Sequence, residues 1–465
     1  MLTGYSHFRR TLRQNGEIAA PPAGRGRPPA RMLSVLSRLV RPALHVAIGP
    51  PENGFRRFWL SLAITMFGTW AGAVALTVRL YDQTHSTTWS SLLYVAEFAP
   101  TVFIGIALGH LLDRLPPVRA LAIFELTAGA SWLALVWIER PSLVVTLAFV
   151  NGACAGAYKI IATSATSMLV SKEHLDAANA ATLSIDNLMT LVGYAIGGIL
   201  VGAYAPDVVL ALNAGTFLIS ALLLATLPLI PAPRSHVDHE PWRRQITAGG
   251  RRMAADPRLR VVLVALPVAT AAIGMGNALQ IPLLRGAVGA SAAAIGFVLA
   301  THAFGLVFGA WAGPFLPRRT STFLVGMVVM GVGLLPMVFT SNVPLIAAGI
   351  LVSGFGNGVV IIRFRTTMQV ATAPQDRAST IAFIYSFAFG VGVLGAALAG
   401  PVASIVDLRP AIGITILLFV TAATAGAMVD FLDRGRYDPV ATVSDEMLGG
   451  VGPPRPTHGA SASTG

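Results

Sequence analysis

The sequence is short of the charged side chains that keep a folded protein in water. Only 12% of its 465 residues are charged, 54% are hydrophobic, and the mean hydropathy is +0.68. A soluble domain carries about 25% charged residues. Such a small polar fraction does not cover a water-facing globule of this length. The composition therefore predicts a protein that is solvated by lipid.

Residues that would support cofactor or metal chemistry are also scarce. The single cysteine, Cys154, excludes a disulfide or a cysteine metal site within the chain. No glycine-rich loop ends in the Gly-Lys-Ser/Thr that cradles a nucleotide phosphate. The segment His236–Glu240 contains metal-ligand residue types, but without a ligand spacing a solvated linker is favoured. We expect no metal, no cofactor and no enzymatic activity.

Long hydrophobic runs are abundant. A helix that crosses a bilayer needs about 20 mostly apolar residues, and twelve runs satisfy this length. The sequence therefore predicts an all-α protein with twelve transmembrane helices. The predicted spans are Phe58–Tyr81, Ser91–Leu112, Val118–Ile138, Ser142–Val170, Leu175–Ala203, Val208–Ile230, Val261–Leu284, Ala290–Leu316, Thr322–Phe339, Val343–Val370, Thr380–Ile405 and Ala411–Leu432.

The basic residues predict the orientation of these spans. If the N-terminus is cytoplasmic, 26 of the 33 Lys and Arg residues lie on the cytoplasmic side, 4 lie outside and 3 lie within spans. Such an excess follows the positive-inside rule. It predicts a multi-pass inner (plasma) membrane protein with both termini in the cytoplasm. It also accounts for the net charge of +12 without a nucleic-acid partner.

The predicted spans divide the chain into five parts. An Arg-rich tail (1–57) precedes a six-helix bundle (58–230), a cytoplasmic loop (231–260), a second six-helix bundle (261–432) and a disordered tail (433–465). Within the first tail, Met32–Gly49 is either an interfacial helix or part of a disordered segment, and Met32 is an alternative start. In the central loop, Trp242, Ile246 and Met253 indicate a short helix on the membrane surface.

The two halves resemble each other in sequence. Three short patterns in the first half recur in the second at offsets of about 200 residues, each at the same place in its half. Such internal repeats are typical of transporters whose substrate site lies between the halves. The recurring pairs are 109–114 with 313–318, 150–156 with 352–358, and Gly197 and Gly202 with Gly395 and Gly400.

Two motifs carry a family resemblance. The segment Gly109–Arg114, with Arg119 beyond it, reads Gly-His-Leu-Leu-Asp-Arg, and Gly193–Gly198 reads Gly-Tyr-Ala-Ile-Gly-Gly. With them, most of 56–432 resembles the major facilitator superfamily, and within it the bacterial enterobactin exporters and macrolide efflux proteins. The resemblance implies two pseudo-symmetric six-helix bundles, the major facilitator fold, that function as a monomer.

The resemblance also implies roles for the motif residues. Asp113 and Arg114 would clamp the cytoplasmic gate by charge contacts between the halves, with Gly109 and Arg119 in the same motif. Asp113 could instead simply cap the third span. The glycines of the second motif, Gly193, Gly197 and Gly198, mark exporters in this family. Pro116 and Pro117 depart from the first motif, and Tyr194 replaces the proline of the second, so the helix kink expected there is in question.

Ionisable residues within the spans are functional candidates, because a charge in the bilayer is costly. Asp186 shares a helix face with Thr190, Gly193 and Gly197. The resemblance places that face against the eighth span, where His302 lies at a similar depth. A contact of Asp186 with His302 is one hypothesis. A pair with Lys159 in the fourth span is an equal alternative, either functional or static.

The remaining charges in the spans have several interpretations. Glu97 lies at mid-span in the second helix and is a candidate for cavity lining and proton coupling. Glu125, Arg363 and Arg365 lie nearer the inner surface, where they would extend towards lipid headgroups. Arg363 and Arg365 could equally attract an anionic substrate.

These features predict a proton-coupled antiporter. It would export a drug, antibiotic or siderophore-like molecule by alternating access, with a small molecule, protons and the lipid bilayer as its partners. The alternatives are an uptake permease or a lysolipid flippase of the same fold, or a membrane scaffold or sensor that transports nothing.

Overall fold

The computed structural model describes residues 54–112, 115–228, 242–317 and 319–434. The predictions for the first tail as far as residue 53, the metal-like segment His236–Glu240 and the last tail from residue 435 lie outside the described residues. Gate residues Asp113 and Arg114 lie outside them too.

The N-terminal half consists of six helices, each at a predicted span. α1 and α2 are joined by a two-residue turn that contains His85, whose φ of 46° is left-handed. Pro117, Pro141 and Pro206 open α3, α4 and α6, where a missing N–H costs nothing. The bounds are Phe55–Thr84 (α1), Thr87–Leu112 (α2), Pro117–Ala134 (α3), Pro141–Leu169 (α4), Leu175–Ala203 (α5) and Pro206–Ala225 (α6).

The C-terminal half repeats this pattern after a shorter helix, α7. Asp256 caps α8, since its carboxylate accepts from the backbone N–H groups of Arg258 and Leu259. The ninth predicted span is divided into α10 and α11 at Leu334, just before Pro336. The bounds are Trp242–Ala255 (α7), Pro257–Pro282 (α8), Ala292–Ala312 (α9), Thr320–Gly333 (α10), Leu335–Phe339 (α11), Val343–Ala371 (α12), Pro374–Val406 (α13) and Leu408–Arg434 (α14).

The helix contacts confirm the duplication. In the first half, α1 packs on α5 and α6, α3 on α4 and α6, and α2 on α4. In the second half, the equivalent helices make the equivalent contacts: α8 on α13 and α14, α10 on α12 and α14, and α9 on α12. Ten of the described helical segments are long and apolar enough to cross a membrane, and α2 and α3 complete the first bundle. The fold is therefore the predicted pair of pseudo-symmetric six-helix bundles.

Helix α7 corrects the prediction for the central loop. The short helix exists, but Met253 is completely buried instead of lying on a membrane surface. α7 packs on α8 and α13, and Arg252 forms an ion pair of 2.7 Å with Asp376 at the start of α13. This helix is thus part of the C-terminal bundle.

Candidate transport site

A cavity lies between the two halves. It offers about 250 Å³ of space for water, and its wall is formed by α1, α2 and α5 from the first half and α8 and α9 from the second. The N-terminal side contributes four aromatic side chains, Trp70, Tyr94, Phe98 and Tyr194, and Trp70 packs against Tyr194 with ring centroids 5.0 Å apart. An amphipathic organic molecule fits such a wall, which combines aromatic faces with a few polar groups.

Glu97 contributes a carboxyl group to the cavity wall, as the sequence predicted. Its neighbours along α2 are Tyr94 and Phe98, whose rings stack with centroids 4.4 Å apart. The amide of Asn277 on α8 donates a hydrogen bond of 3.1 Å to the Tyr94 hydroxyl. This hydrogen bond joins the two halves three residues from Glu97.

His302 lies on the opposite wall of the same cavity. Its ring is hydrogen-bonded to the backbone of Ile350 on α12. The structure therefore brings Glu97 and His302 into one cavity, although no hydrogen bond or ion pair between these two described residues is formed.

Asp186 does not make the predicted contact with His302. Its neighbours Asn187 and Thr190 line the cavity, whereas Asp186 itself does not. The charge that acts on Asp186 is that of Lys159, the alternative partner, with no ion pair within 4 Å between these two described residues. The reason is the geometry of α5 and α9, which cross far along α5 from Asp186.

The predicted glycine face of α5 is a site of close helix approach. A Cβ at Gly193 would lie 2.8 Å from the Trp70 Cβ, and one at Gly197 would lie 2.6 Å from the Ala71 Cα, both on α1. A Cβ at Gly198 would lie 2.5 Å from the Cα of Gly296 on α9. Two glycines thus pack α5 within its own half, and the third forms the crossing between the halves. α5 is one uninterrupted helix, with Tyr194 in the cavity wall.

Arg363 is placed differently from its predicted substrate role. The guanidinium is 6% exposed and donates to the backbone carbonyls of Gly313 and Leu316, 2.5 and 2.6 Å away, at the end of α9. It therefore ties α12 to α9 instead of extending to headgroups or substrate. Arg365, two residues on, is exposed.

Two residues of the gate motif, Gly109 and Arg119, lie within the described residues. Gly109 lies in the last turn of α2, and Arg119 is exposed in the first turn of α3.

One end of the molecule is closed by contacts between the halves. We name it the outer end, following the predicted orientation; it contains the α1–α2 turn. Arg285, which follows α8, forms a bidentate ion pair with Asp82 of α1, with both N–O distances 2.8 Å. Thr87 at the start of α2 donates to the carbonyl of Gly400 on α13.

Among the cavity residues that were not predicted site residues, four stand out by their aromatic ring or amide: Trp70, Tyr94, Tyr194 and Asn277. Two of them had a sequence signal. Tyr94 precedes Glu97 by three residues, which places both on one helix face. Asn277 is a polar residue in the middle of a predicted span. Trp70 had no signal, because an aromatic residue in a span usually contacts lipid or other helices.

The chain resembles known transporters in sequence. The Major Facilitator Superfamily model matches residues 58–281. The chain is 23% identical over 364 residues to the uncharacterized MFS-type transporter YfiS of Bacillus subtilis, an alignment that covers 74% of this chain and 87% of the relative. It is 30% identical over 277 residues to the enterobactin exporter EntS of Shigella flexneri, covering 57% of this chain and 64% of that exporter.

Solved structures share the fold. A bacterial homolog of the human lysosomal transporter Spinster, inward-facing and unoccupied, superposes with a TM-score of 0.64 at 14% identity, over 80% of this chain and 97% of that one. The nucleoside transporter NupG superposes with a TM-score of 0.68 at 14% identity, over 81% and 99%. At these identities, the likeness concerns the fold alone.

Proposed function

We propose that this chain is a transporter of the major facilitator superfamily, which it resembles in sequence, and that it is a proton-coupled antiporter that exports an amphipathic small molecule by alternating access. The cargo class is a drug, an antibiotic or a siderophore-like metabolite. The observation that carries the proposal is the cavity between the halves, with aromatic walls and the carboxyl group of Glu97 in contact with the same space.

The location of the contacts between the halves supports alternating access. The inter-half hydrogen bonds of the described residues lie at the outer end or in the cavity wall. With the N-terminus in the cytoplasm, this conformation would load cargo from the inside. Export would then require the outer contacts to break and the inner ends to close, with the gate motif Gly109, Asp113, Arg114 and Arg119 clamping the inner side.

Glu97 is the better candidate for proton coupling. A proton and a cargo molecule can compete only at a group that both can reach, and Glu97 lines the cavity while Asp186 does not. Protonation of Glu97 would remove a charge from the cavity wall and so change the relative stability of the two conformations. His302 on the opposite wall would orient cargo, and Asp186 with Lys159 would stabilise the packing of α4 and α5.

The direction of transport is inferred from two further features. The relatives named as enterobactin exporters and the three glycines at Gly193, Gly197 and Gly198 favour export. An uptake permease of the same fold would accumulate substrate instead. We also propose that the chain functions as a monomer in the inner membrane, with domains bounded as the sequence predicts, except that α7 belongs to the second bundle.

Efflux of a panel of fluorescent compounds from energised cells tests the proposal. We expect wild type to expel at least one compound in a manner that a protonophore abolishes, and Glu97→Gln to reduce this efflux about tenfold or more. Asp186→Asn should reduce it less, and Arg365→Gln serves as an exposed, charge-removing control. Accumulation in place of efflux would establish uptake, and efflux that survives in both Glu97→Gln and Asp186→Asn would overturn the coupling assignment.

A further inference from the structure

A second carboxyl group is buried in the N-terminal half, away from the cavity wall. Glu125 on α3 is 1% exposed, so it does not reach lipid headgroups as the sequence suggested. The hydroxyl of Thr65 on α1 donates to it, 3.2 and 3.1 Å from the two carboxyl oxygens. The hydroxyl of Ser220 on α6 also lies within its reach.

The other titratable groups near Glu125 are on α4. They are the Tyr158 phenol and the Cys154 thiol, both uncharged at neutral pH and both close enough to interact with the carboxyl group. α1 and α6 present the uncharged hydroxyl groups of Thr65 and Ser220 to the carboxyl group. Among the described residues, no arginine, lysine or histidine forms an ion pair with Glu125.

These surroundings favour the neutral acid. An ionised carboxylate in an apolar interior costs several kcal/mol unless a cation or several hydrogen-bond donors compensate it. Here the Thr65 hydroxyl is the hydrogen-bond donor, the Ser220 hydroxyl lies nearby, and no cation of the described residues forms an ion pair with the carboxyl group. We therefore expect the carboxyl group to hold a proton in this conformation.

The hydrogen bond from Thr65 links Glu125 to α1, the helix that contributes to the cavity wall and to the outer ion pair. Thr65 lies five residues before Trp70 on α1, and this same helix lines the cavity and carries Asp82 of the outer ion pair. A movement of α1 relative to α3 changes the number of donors at the carboxyl group, and with it the balance between acid and carboxylate.

We propose that Glu125 is a proton-binding site of the N-terminal half and that its occupancy is coupled to the position of α1. The inference rests on the proposed proton coupling, but it assigns a coupled proton to a place that cargo does not reach. Glu97 would then release its proton when cargo binds. Glu125 would instead take up or release its proton when α1 moves between the two conformations.

The test uses purified protein in proteoliposomes with an imposed pH gradient and a compound that the wild type transports. We expect Glu125→Gln to keep gradient-independent counterflow within about twofold and to lose gradient-driven transport about tenfold. Glu139→Gln, which changes an exposed carboxylate just beyond α3, is the matched control and should behave as wild type. Gradient-driven transport by Glu125→Gln at the wild-type rate would overturn the inference.

Two further measurements separate this inference from the proposed function. The infrared spectrum of wild type minus that of Glu125→Gln should contain the C=O band of a protonated carboxyl group at neutral pH, and its absence would overturn the inference whatever the transport result. If Glu125→Gln does not fold, Thr65→Val replaces it and should shift the pH midpoint of transport. No shift would count against the site. Net accumulation by wild type that does not depend on the imposed pH gradient would instead contradict the proposed function.

Discussion

The two arginines on α12 show how one helix can use the same residue type in two ways. Arg363 is buried and donates to two backbone carbonyls at the end of α9, whereas Arg365 is exposed. Both carbonyls lie just beyond the end of α9, where the helical hydrogen-bond pattern stops, and the buried guanidinium donates to them. Spacing alone does not distinguish these roles, because the carbonyls that Arg363 binds belong to a segment about 50 residues earlier.

This difference gives a prediction. Arg363→Gln should destabilise the detergent-solubilised protein by about 1–3 kcal/mol, since it removes a buried charged donor that bonds two backbone carbonyls. Arg365→Gln should leave the unfolding temperature unchanged. Thermal unfolding of the two variants beside wild type is the measurement. A stable Arg363→Gln protein that has lost transport of anionic compounds only would show that this arginine acts on cargo after all.

The acidic residues mark the limit of prediction from single positions. The depth of Glu97 in its span was readable from the sequence, and the structure places it in the cavity wall. The neighbours of the Asp186 side chain were not predictable from the sequence. A helical face shows which residues lie together, but it does not determine the angle at which the next helix crosses. The burial of Glu125 also depends on helices that are distant in the chain.

At the scale of elements, the crossing of α5 and α9 is the contact most sensitive to side-chain size. Gly198 and Gly296 meet Cα to Cα, and each would place a Cβ 2.5 Å from the other residue. Small residues allow two membrane helices to approach this closely. The glycine pattern predicted a close contact on α5, but only the structure shows that Gly193 and Gly197 pack against α1 instead.

A larger residue at this crossing should hold the outer end apart. We expect Gly198→Leu to lower transport about tenfold or more and to expose the cavity to the outside. The readout is labelling of Asn277→Cys by a membrane-impermeant maleimide, in a background in which Cys154 is replaced by serine. Gly215→Leu on α6 is the control, because open space surrounds that glycine. Unchanged labelling and transport in Gly198→Leu would contradict this account of the outer closure.

At the scale of the whole molecule, the orientation in the membrane remains a prediction from charge. It is tested with single cysteines at two exposed positions, Glu139 beyond α3 and Arg251 on α7. In intact cells, an impermeant maleimide should label Glu139→Cys, while Arg251→Cys should react only after permeabilisation. The reverse labelling pattern would show that the protein has the opposite orientation in the membrane. In that orientation, this conformation would load cargo from the outside.

The outer closure follows the internal symmetry of the molecule. Asp82 and Arg285 are 203 residues apart, within the range of offsets that relate the two halves, so the ion pair joins equivalent positions of α1 and the segment after α8. On either side of it lie two equivalent crossings, Gly202 with Ala293 and Gly400 with Thr88. A duplicated sequence predicts such paired crossings. It does not predict the ion pair, because the two equivalent residues differ.

The ion pair should bias the molecule towards the closed outer end by a modest amount. Its two side chains are 34% and 38% exposed, and a pair that is this accessible to water is worth about 0.2–1 kcal/mol. Asp82→Asn or Arg285→Gln should therefore raise outside labelling of Asn277→Cys by a factor of about 1.4 to 5, and high external salt should act in the same direction on wild type. Asp82→Arg should raise it further through like-charge repulsion, and combination with Arg285→Asp should restore closure. If the double reversal labels as fast as Asp82→Arg alone, the two residues do not act as a pair, and the flanking helix crossings suffice to close the outer end.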